Sequence, residues 1–317
     1  PWKQFSLLSR RYLELLKNDT GNLLILLLQA PIIAAILVFM LSSGGHGTFA
    51  PTSIAQCHLT PTDKHIVNCQ QVLNSLTATN PNPVKALQDF IAPESGFDAQ
   101  KYLFIMAFAA MMFGCINGAR EIVKETPIYR RERTVNLGIA PYMFSKIIIL
   151  GILCLLQSAI LVLAVNWIAP IQQGILLPAP LEVYITLALT SLAGLMIGLT
   201  VSALAPNNDR AVSLIPIILI PQVIFSGLLF NLDGPALQAI GALFAVRWGM
   251  AATGSSVGLH GDKLGTDGFS YKGTLFSTFS QGEAALHLFV CWFALIVMIV
   301  VLGIAIAYFL KRKDVRA

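Results

Sequence analysis

Arg120, Lys124, Arg130, Arg131, Arg133 and Lys146 alternate with Glu121, Glu125 and Glu132 within residues 120–146, between two long apolar runs. Side chains of these types at this spacing pair with one another and grip a partner. Each would cost about 2.5 to 3.5 kcal/mol at the centre of a bilayer, so the stretch lies outside hydrocarbon. Ile122, Ile128 and Tyr129 place apolar groups among the charges, the pattern of a short helix lying on a membrane surface. A basic helix between two spans suits a lever that takes force from a soluble motor. The plainer alternative is a solvated loop that only fixes topology.

No other grouping suits catalysis. There is no G-x-x-x-x-G-K-[ST] to cradle ATP phosphates. His46, His58, His65, His260 and His287 are scattered, without metal-ligand spacing. Gly254-Ser255-Ser256-Val257-Gly258 matches G-x-S-x-G, but a nucleophile elbow needs a strand before it and a helix after it. This match falls in what reads as a glycine-rich outer loop of a helical protein, and it reads as chance. The chain is expected to carry no active site, no metal and no cofactor of its own.

The elements that position the charged stretch are membrane helices. Hydrophobic residues make up 56% of the 317 and charged residues 12%, with mean hydropathy +0.71. A spanning helix needs about 20 mostly apolar residues. Six runs qualify: 23–41, 102–118, 144–168, 183–204, 211–230 and 285–310. A seventh, 235–252, is interrupted by Arg247 and reads as a re-entrant or interfacial pair of short helices. Residues 1–19 intersperse Trp2, Phe5, Leu8, Tyr12 and Leu16 with Lys3, Arg10, Arg11 and Lys17, an amphipathic helix for the membrane interface. It is not a signal peptide, because no apolar core leads to small cleavage residues. The sequence opens without an initiator methionine and reads as beginning partway through a longer polypeptide.

The fold class predicted is therefore an all-α membrane protein with six transmembrane helices, an N-terminal amphipathic helix and a re-entrant outer hairpin. Residues 1–20 form the amphipathic helix and 21–317 the membrane domain. Within that domain lie a first outer loop (42–101), a cytoplasmic coupling region (120–143) and the hairpin with the last outer loop (231–284). The basic residues orient it. With the N-terminus inside, only Lys64, Lys85, Lys101, Arg247, Lys263 and Lys272 of the 21 basic residues fall outside, and both termini are cytoplasmic. The net charge of +5 then reports topology and not a nucleic-acid-binding face. Cys57 and Cys69 share the first outer loop, where an oxidising compartment favours a disulfide over two free thiols. Gly194-x-x-x-Gly198 in the fourth span offers a close approach to another helix.

A resemblance now enters. Glu125-Thr126-Pro127-Ile128-Tyr129-Arg130-Arg131-Glu132-Arg133, followed by Tyr142 and Lys146, resembles the loop after the second span of the G-subfamily (ABC-2 type) ABC transporters. The stretch 224–232, IFSGLLFNL, is similar to the end of the fifth span in that family's multidrug member. Residues 4–19, QFSLLSRRYLELLKND, resemble the family's connecting helix. The likeness covers the whole membrane domain, and the wording of the middle loop is most like bacterial members. The chain departs from the multidrug member in a longer first outer loop and in a last outer loop without cysteines. The family's nucleotide-binding domain, which precedes the connecting helix, is not in this sequence.

The resemblance implies a permease half of an ATP-driven exporter of hydrophobic or amphipathic molecules, working as a dimer in a plasma membrane, the inner membrane if bacterial. ATP and magnesium would belong to an associated nucleotide-binding domain. The implied partners are a second copy, that domain and membrane lipid, with no nucleic acid. Carried over residue by residue, Phe113, Pro216, Ile220 and Val223 match substrate-cavity positions, and Leu228 and Leu229 match a two-leucine plug. Glu125, Pro127, Tyr129, Arg131 and Glu132 match the coupling segment. Ordinary core or lipid-facing packing is the alternative for each apolar position. Asn117, one turn past Phe113, either faces the cavity or hydrogen-bonds a neighbouring helix. Pro216 and Pro221 remove backbone donors from the fifth span and set a kink that moves the plug, or a static bend. The competing class is a motor-less channel or an ion-coupled carrier. A carrier would place acidic residues or broken helices within its spans, whereas here the acidic residues fall in loops and helix ends.

Overall fold

The computed structural model describes residues 2–43, 93–134, 137–168, 171, 174–229, 235–257 and 281–315. Among them every regular element is a helix. In chain order these are α1 (Trp2–Asn18), α2 (Thr20–Ser43), α3 (Pro93–Gly118), a 3-10 turn (Val123–Glu125), α4 (Thr126–Arg133) and α5 (Ile139–Ile168). They continue as α6 (Ala179–Leu204), α7 (Asn208–Ile224), α8 (Pro235–Gly241), α9 (Ala245–Ser256) and α10 (Gln281–Val315). An all-helical body is what an apolar solvent demands, since each helix satisfies its own backbone groups. Cys57 and Cys69 lie outside the described residues, as does most of the first outer loop.

Among the described residues, five helical stretches are long and apolar enough to cross a membrane, in α2, α3 with the segment after it, α5, α6 and α10. The fifth apolar run of the sequence does not form one long helix. Helix α7 stops at Ile224, and residues 225–229 turn, with Gly227 at φ 89°. That left-handed conformation is one glycine adopts without strain. Pro216 and Pro221 lie inside α7 and withhold two backbone donors from its ladder. Its start is firm: the Asn207 side chain accepts the Arg210 N–H at 3.0 Å.

Helix α6 is the hub, packed on α3, α5, α7, α9 and α10. Its tightest neighbour is α3. A Cβ on Gly194 would meet the Met111 carbonyl oxygen at 2.2 Å, and one on Gly198 the Cys115 oxygen at 2.3 Å. From the other side, a Cβ on Gly114 would meet the Ser191 oxygen at 1.9 Å, and one on Gly118 the Leu195 oxygen at 2.7 Å. Each helix thus presents its own G-x-x-x-G to the other, and the two backbones touch. The sequence reading found only the α6 half of this pair.

Two large apolar clusters fill most of the body. One holds Leu37, Met106, Phe113, Leu161, Leu187 and Met250. The other, at the α1 end, holds Tyr12, Tyr129, Tyr142, Leu150, Leu199 and Leu310. Helices α8 and α9 are the expected pair of short helices, joined at 242–244. Buried Arg247 donates to the Gln238 carbonyl at 2.7 Å and lies 5.7 Å from the Trp248 ring. Gly254, Ser255 and Ser256 belong to α9 and are buried, so the G-x-S-x-G match begins in a helix and not in a loop. A helical run lacks the strand-to-helix turn that exposes a nucleophile.

Candidate functional site

The charged stretch is pinned where it leaves the membrane body. Beyond Gly118 the chain turns, and Ser202 Oγ near the end of α6 accepts the N–H groups of Ile122 and Val123, each at 2.9 Å. These are donors that no helix turn would otherwise satisfy. The 3-10 turn then runs into α4, whose second residue is Pro127, a position where a missing donor costs nothing.

Behind this segment lies a buried charge cluster. Lys146, on the first turns of α5, is 2% exposed, Glu121 3% and Glu125 6%. The Lys146 ammonium donates to Glu125 Oε1 at 2.6 Å and lies 3.7 Å from Glu121 Oε2. It also sits 3.8 Å from the centre of the Tyr12 ring, within cation–π range. Tyr142 donates its hydroxyl to Glu125 Oε2 at 3.3 Å, and Lys124 donates to Glu121 Oε1 at 2.6 Å. Tyr12 of α1 donates its hydroxyl to Glu121 Oε2. Arg11 of α1 donates to Glu132 of α4. Tyr129 packs its ring 4.9 Å from that of Tyr142.

The electrostatics hold these groups in fixed roles. Burial first, then the charge and hydrogen bond of Glu121, push the Tyr12 phenol well above its ordinary value, so it stays a neutral donor. The hydrogen bond to Glu132 raises Arg11 above its ordinary value against the opposing effect of burial. What the cluster can do is mechanical: Lys146 of α5 and Tyr12 of α1 hold Glu121 and Glu125 in the turn ahead of α4, while Arg11 of α1 holds Glu132 of α4, so displacing α4 strains both sets of contacts.

From sequence, the charges of this segment pair with one another and grip a partner outside hydrocarbon. The structure divides them. Pro127, Arg130 and Arg131 are exposed. Glu125 and Tyr129 are buried, and half-buried Glu132 faces Arg11. The correction has a physical cause. A buried carboxylate beside a buried ammonium is tolerable only if both turn inward together. Tyr12 and Ser202 were not singled out for this site, and Glu121 and Lys146 were named in the charged stretch but not as each other's partners, although Tyr142-x-x-x-Lys146 stood beside the motif as a signal.

The remaining candidates separate. Phe113 is fully buried in the core of the single chain. Asn117 is buried too, and its amide donates to Gln157 Oε1 at 2.8 Å while its oxygen accepts from Gln29 at 2.8 Å. Gln157 in turn donates to the Leu26 carbonyl at 2.5 Å, so the three amides tie α2, α3 and α5 together. In α7, Pro216 and Ile220 are exposed and Val223 is half-buried. Leu228 packs against the larger core cluster, and Leu229 is exposed beside it on the turn that follows α7.

Comparison with known proteins places this architecture. An ABC transporter ATP-binding/permease protein of Mycobacterium tuberculosis is 26% identical over 262 residues, which cover 81% of this chain and 26% of that protein. The chain thus spans about a quarter of the length of that relative. The family model described as ABC-2 type transporter matches residues 3–255. With five helices fit to cross a membrane and that match over most of its length, the chain belongs to the ABC-2 type transporter family and is a transporter membrane domain.

Proposed function

We propose that this chain is the permease part of an ATP-driven exporter of hydrophobic or amphipathic molecules, working as two copies with nucleotide-binding domains. The observation that carries the reading is the buried Glu121–Glu125–Lys146 cluster, which keys the exposed face of α4 into the membrane body. A loop that only fixed topology would not need two buried carboxylates. The relative from Mycobacterium tuberculosis is named as both ATP-binding protein and permease, which supports a motor of that kind. ATP and magnesium would be bound in that motor. A motor-less channel or ion-coupled carrier remains the competing class. Glu182 is buried at the other end of α6, where its Oε1 accepts the backbone N–H groups of 175–177 and its Oε2 has no hydrogen-bond partner among the described residues. Oε1 thus pins the loop at 175–177 to the start of α6.

In this reading the chain crosses the membrane six times, the fifth crossing made by α7 with the turn at 225–229. Helix α1 lies on the membrane surface as the connecting helix, residues 1–20. The membrane domain is 21–317, with a first outer loop at 42–101, the coupling region at 120–143 and a re-entrant hairpin with the last outer loop at 231–284. Both termini are cytoplasmic, and the home is a plasma membrane. Pro127, Tyr129, Arg131 and Glu132, with Glu125 behind them, form the coupling segment. Pro216, Ile220 and Val223 border the substrate path between copies, the buried Phe113 and Asn117 support it from behind, and Leu228 and Leu229 plug its outer end.

Charge reversal tests coupling. Arg131→Glu in the complete transporter is expected to leave thermal stability unchanged, because the side chain is exposed. Transport should fall about tenfold, the effect of losing a contact worth about 1.4 kcal/mol. ATP hydrolysis should continue. Transport at the normal rate would show that α4 is a solvated surface.

Cysteine cross-linking tests the dimer. Ile217 and Ile220 give α7 an apolar face that the single chain leaves uncovered. A cysteine at Ile220 should form a disulfide between copies, which requires Cα atoms within about 7 Å. Cys115, Cys154 and Cys291 are buried and give little background. Active protein that stays monomeric throughout would overturn the dimer.

A further inference from the structure

We infer that Arg120 marks a site for the head of an anionic amphiphile, a substrate class narrower than the export reading it rests on. A recess of about 170 Å³ lies between α2, the end of α3 and α7, lined by Ile25, Leu26, Ile116, Ala119, Arg120 and Ile215, among others. Helix α2 packs on α1, α3 and α5, while α7 packs on α3, α6 and α9, so the recess sits in the gap between α2 and α7. At about 30 Å³ per water-sized group it holds a head group and not a whole lipid. Ile25 is exposed at its rim, giving a tail an apolar way out.

The charge inside the recess is uneven. Its other walls bring Asn117 and Glu121. The Asn117 amide is spent on Gln29 and Gln157. Glu121 is spent on Tyr12, Lys124 and Lys146. Arg120 is exposed, and its guanidinium has no ion pair or hydrogen bond among the described residues. A guanidinium offers five donors in a planar fork that suits phosphate or carboxylate in two-point contact. A cation without an ion pair among the described residues, at the mouth of a partly apolar recess, selects amphiphiles with an anionic head over neutral ones.

The test uses the chain in nanodiscs of neutral phosphatidylcholine, with a fluorescent C16 alkyl phosphate and the matching alcohol as probes. The phosphate should bind at least tenfold tighter than the alcohol. Arg120→Gln should remove that preference, and Arg120→Lys should retain part of it. Arg10→Gln, a control for surface charge, should leave it intact. Thermal unfolding of each variant checks that the fold is unchanged. Equal binding of phosphate and alcohol to the wild type, or equal losses in Arg120→Gln and Arg10→Gln, would overturn the inference. This binding needs no ATP. The export reading is tested separately, by ATP-driven accumulation in the complete transporter, so either can fail alone.

Discussion

Lys146→Met is expected to cost about 3–5 kcal/mol of stability, the range for breaking a buried ion pair by removing one partner. Glu125 would lose its contact at 2.6 Å and keep only the Tyr142 hydroxyl at 3.3 Å. Glu121 would suffer less, because Lys124 remains at 2.6 Å and Tyr12 still donates to it. The double variant Glu125→Gln with Lys146→Met removes both charges and should recover at least half of the loss. Chemical unfolding in detergent, followed by tryptophan fluorescence, reads both numbers and yields the coupling energy of the pair. Reversing Glu125 should be as damaging as Lys146→Met, since a cation would then face the buried ammonium. The stable behaviour expected of Arg131→Glu is the contrast. Wild-type stability in Lys146→Met would mean that the cluster is wet and that its charges are solvated.

Gly194→Ala should destabilise the bundle by an amount toward the upper end of the roughly 1–3 kcal/mol typical of overpacking. Its new methyl group would lie 2.2 Å from the Met111 carbonyl oxygen, a backbone atom that cannot rotate away. Helices α3 and α6 would have to separate by on the order of 1 Å, losing contacts along the whole G-x-x-x-G face. Gly151→Ala is the matched control. There the methyl group meets only a Leu192 side-chain carbon at 3.4 Å, an ordinary contact. Since alanine gains up to about 1 kcal/mol over glycine in a helix, that variant should be neutral or slightly more stable. Comparing the two by unfolding in detergent separates backbone contact from helix propensity. Equal effects would show that α3 and α6 are not in backbone contact.

The long spans were legible in the sequence because runs such as 144–168 and 285–310 have one stable fate in a bilayer. The charged stretch was legible as a segment outside hydrocarbon for the same reason, read in reverse. The pair of short helices around Arg247 was visible in an apolar run that one charge interrupts. The limit of α7 was not, because 211–230 is mostly apolar, and Pro216, Pro221 and Ser226-Gly227 fit a bend within one span as well as an end.

What tertiary structure alone decided is which way each side chain faces. Tyr12 reaches Glu121 across 109 positions, and Arg11 reaches Glu132 across 121. No local period predicts such pairings, because they depend on α1 folding back beside α5. Whether Glu125 faces solvent or Lys146 is settled only when α4 and α5 are packed, and burial then forces the two charges together. Likewise the sequence carried Gly194-x-x-x-Gly198, but its partner at Gly114 and Gly118 became visible only when the helices met. Composition and run length fix which segments enter the membrane, because transfer free energy adds up residue by residue. Pairing between distant segments does not add up that way, and only the assembled bundle specifies it.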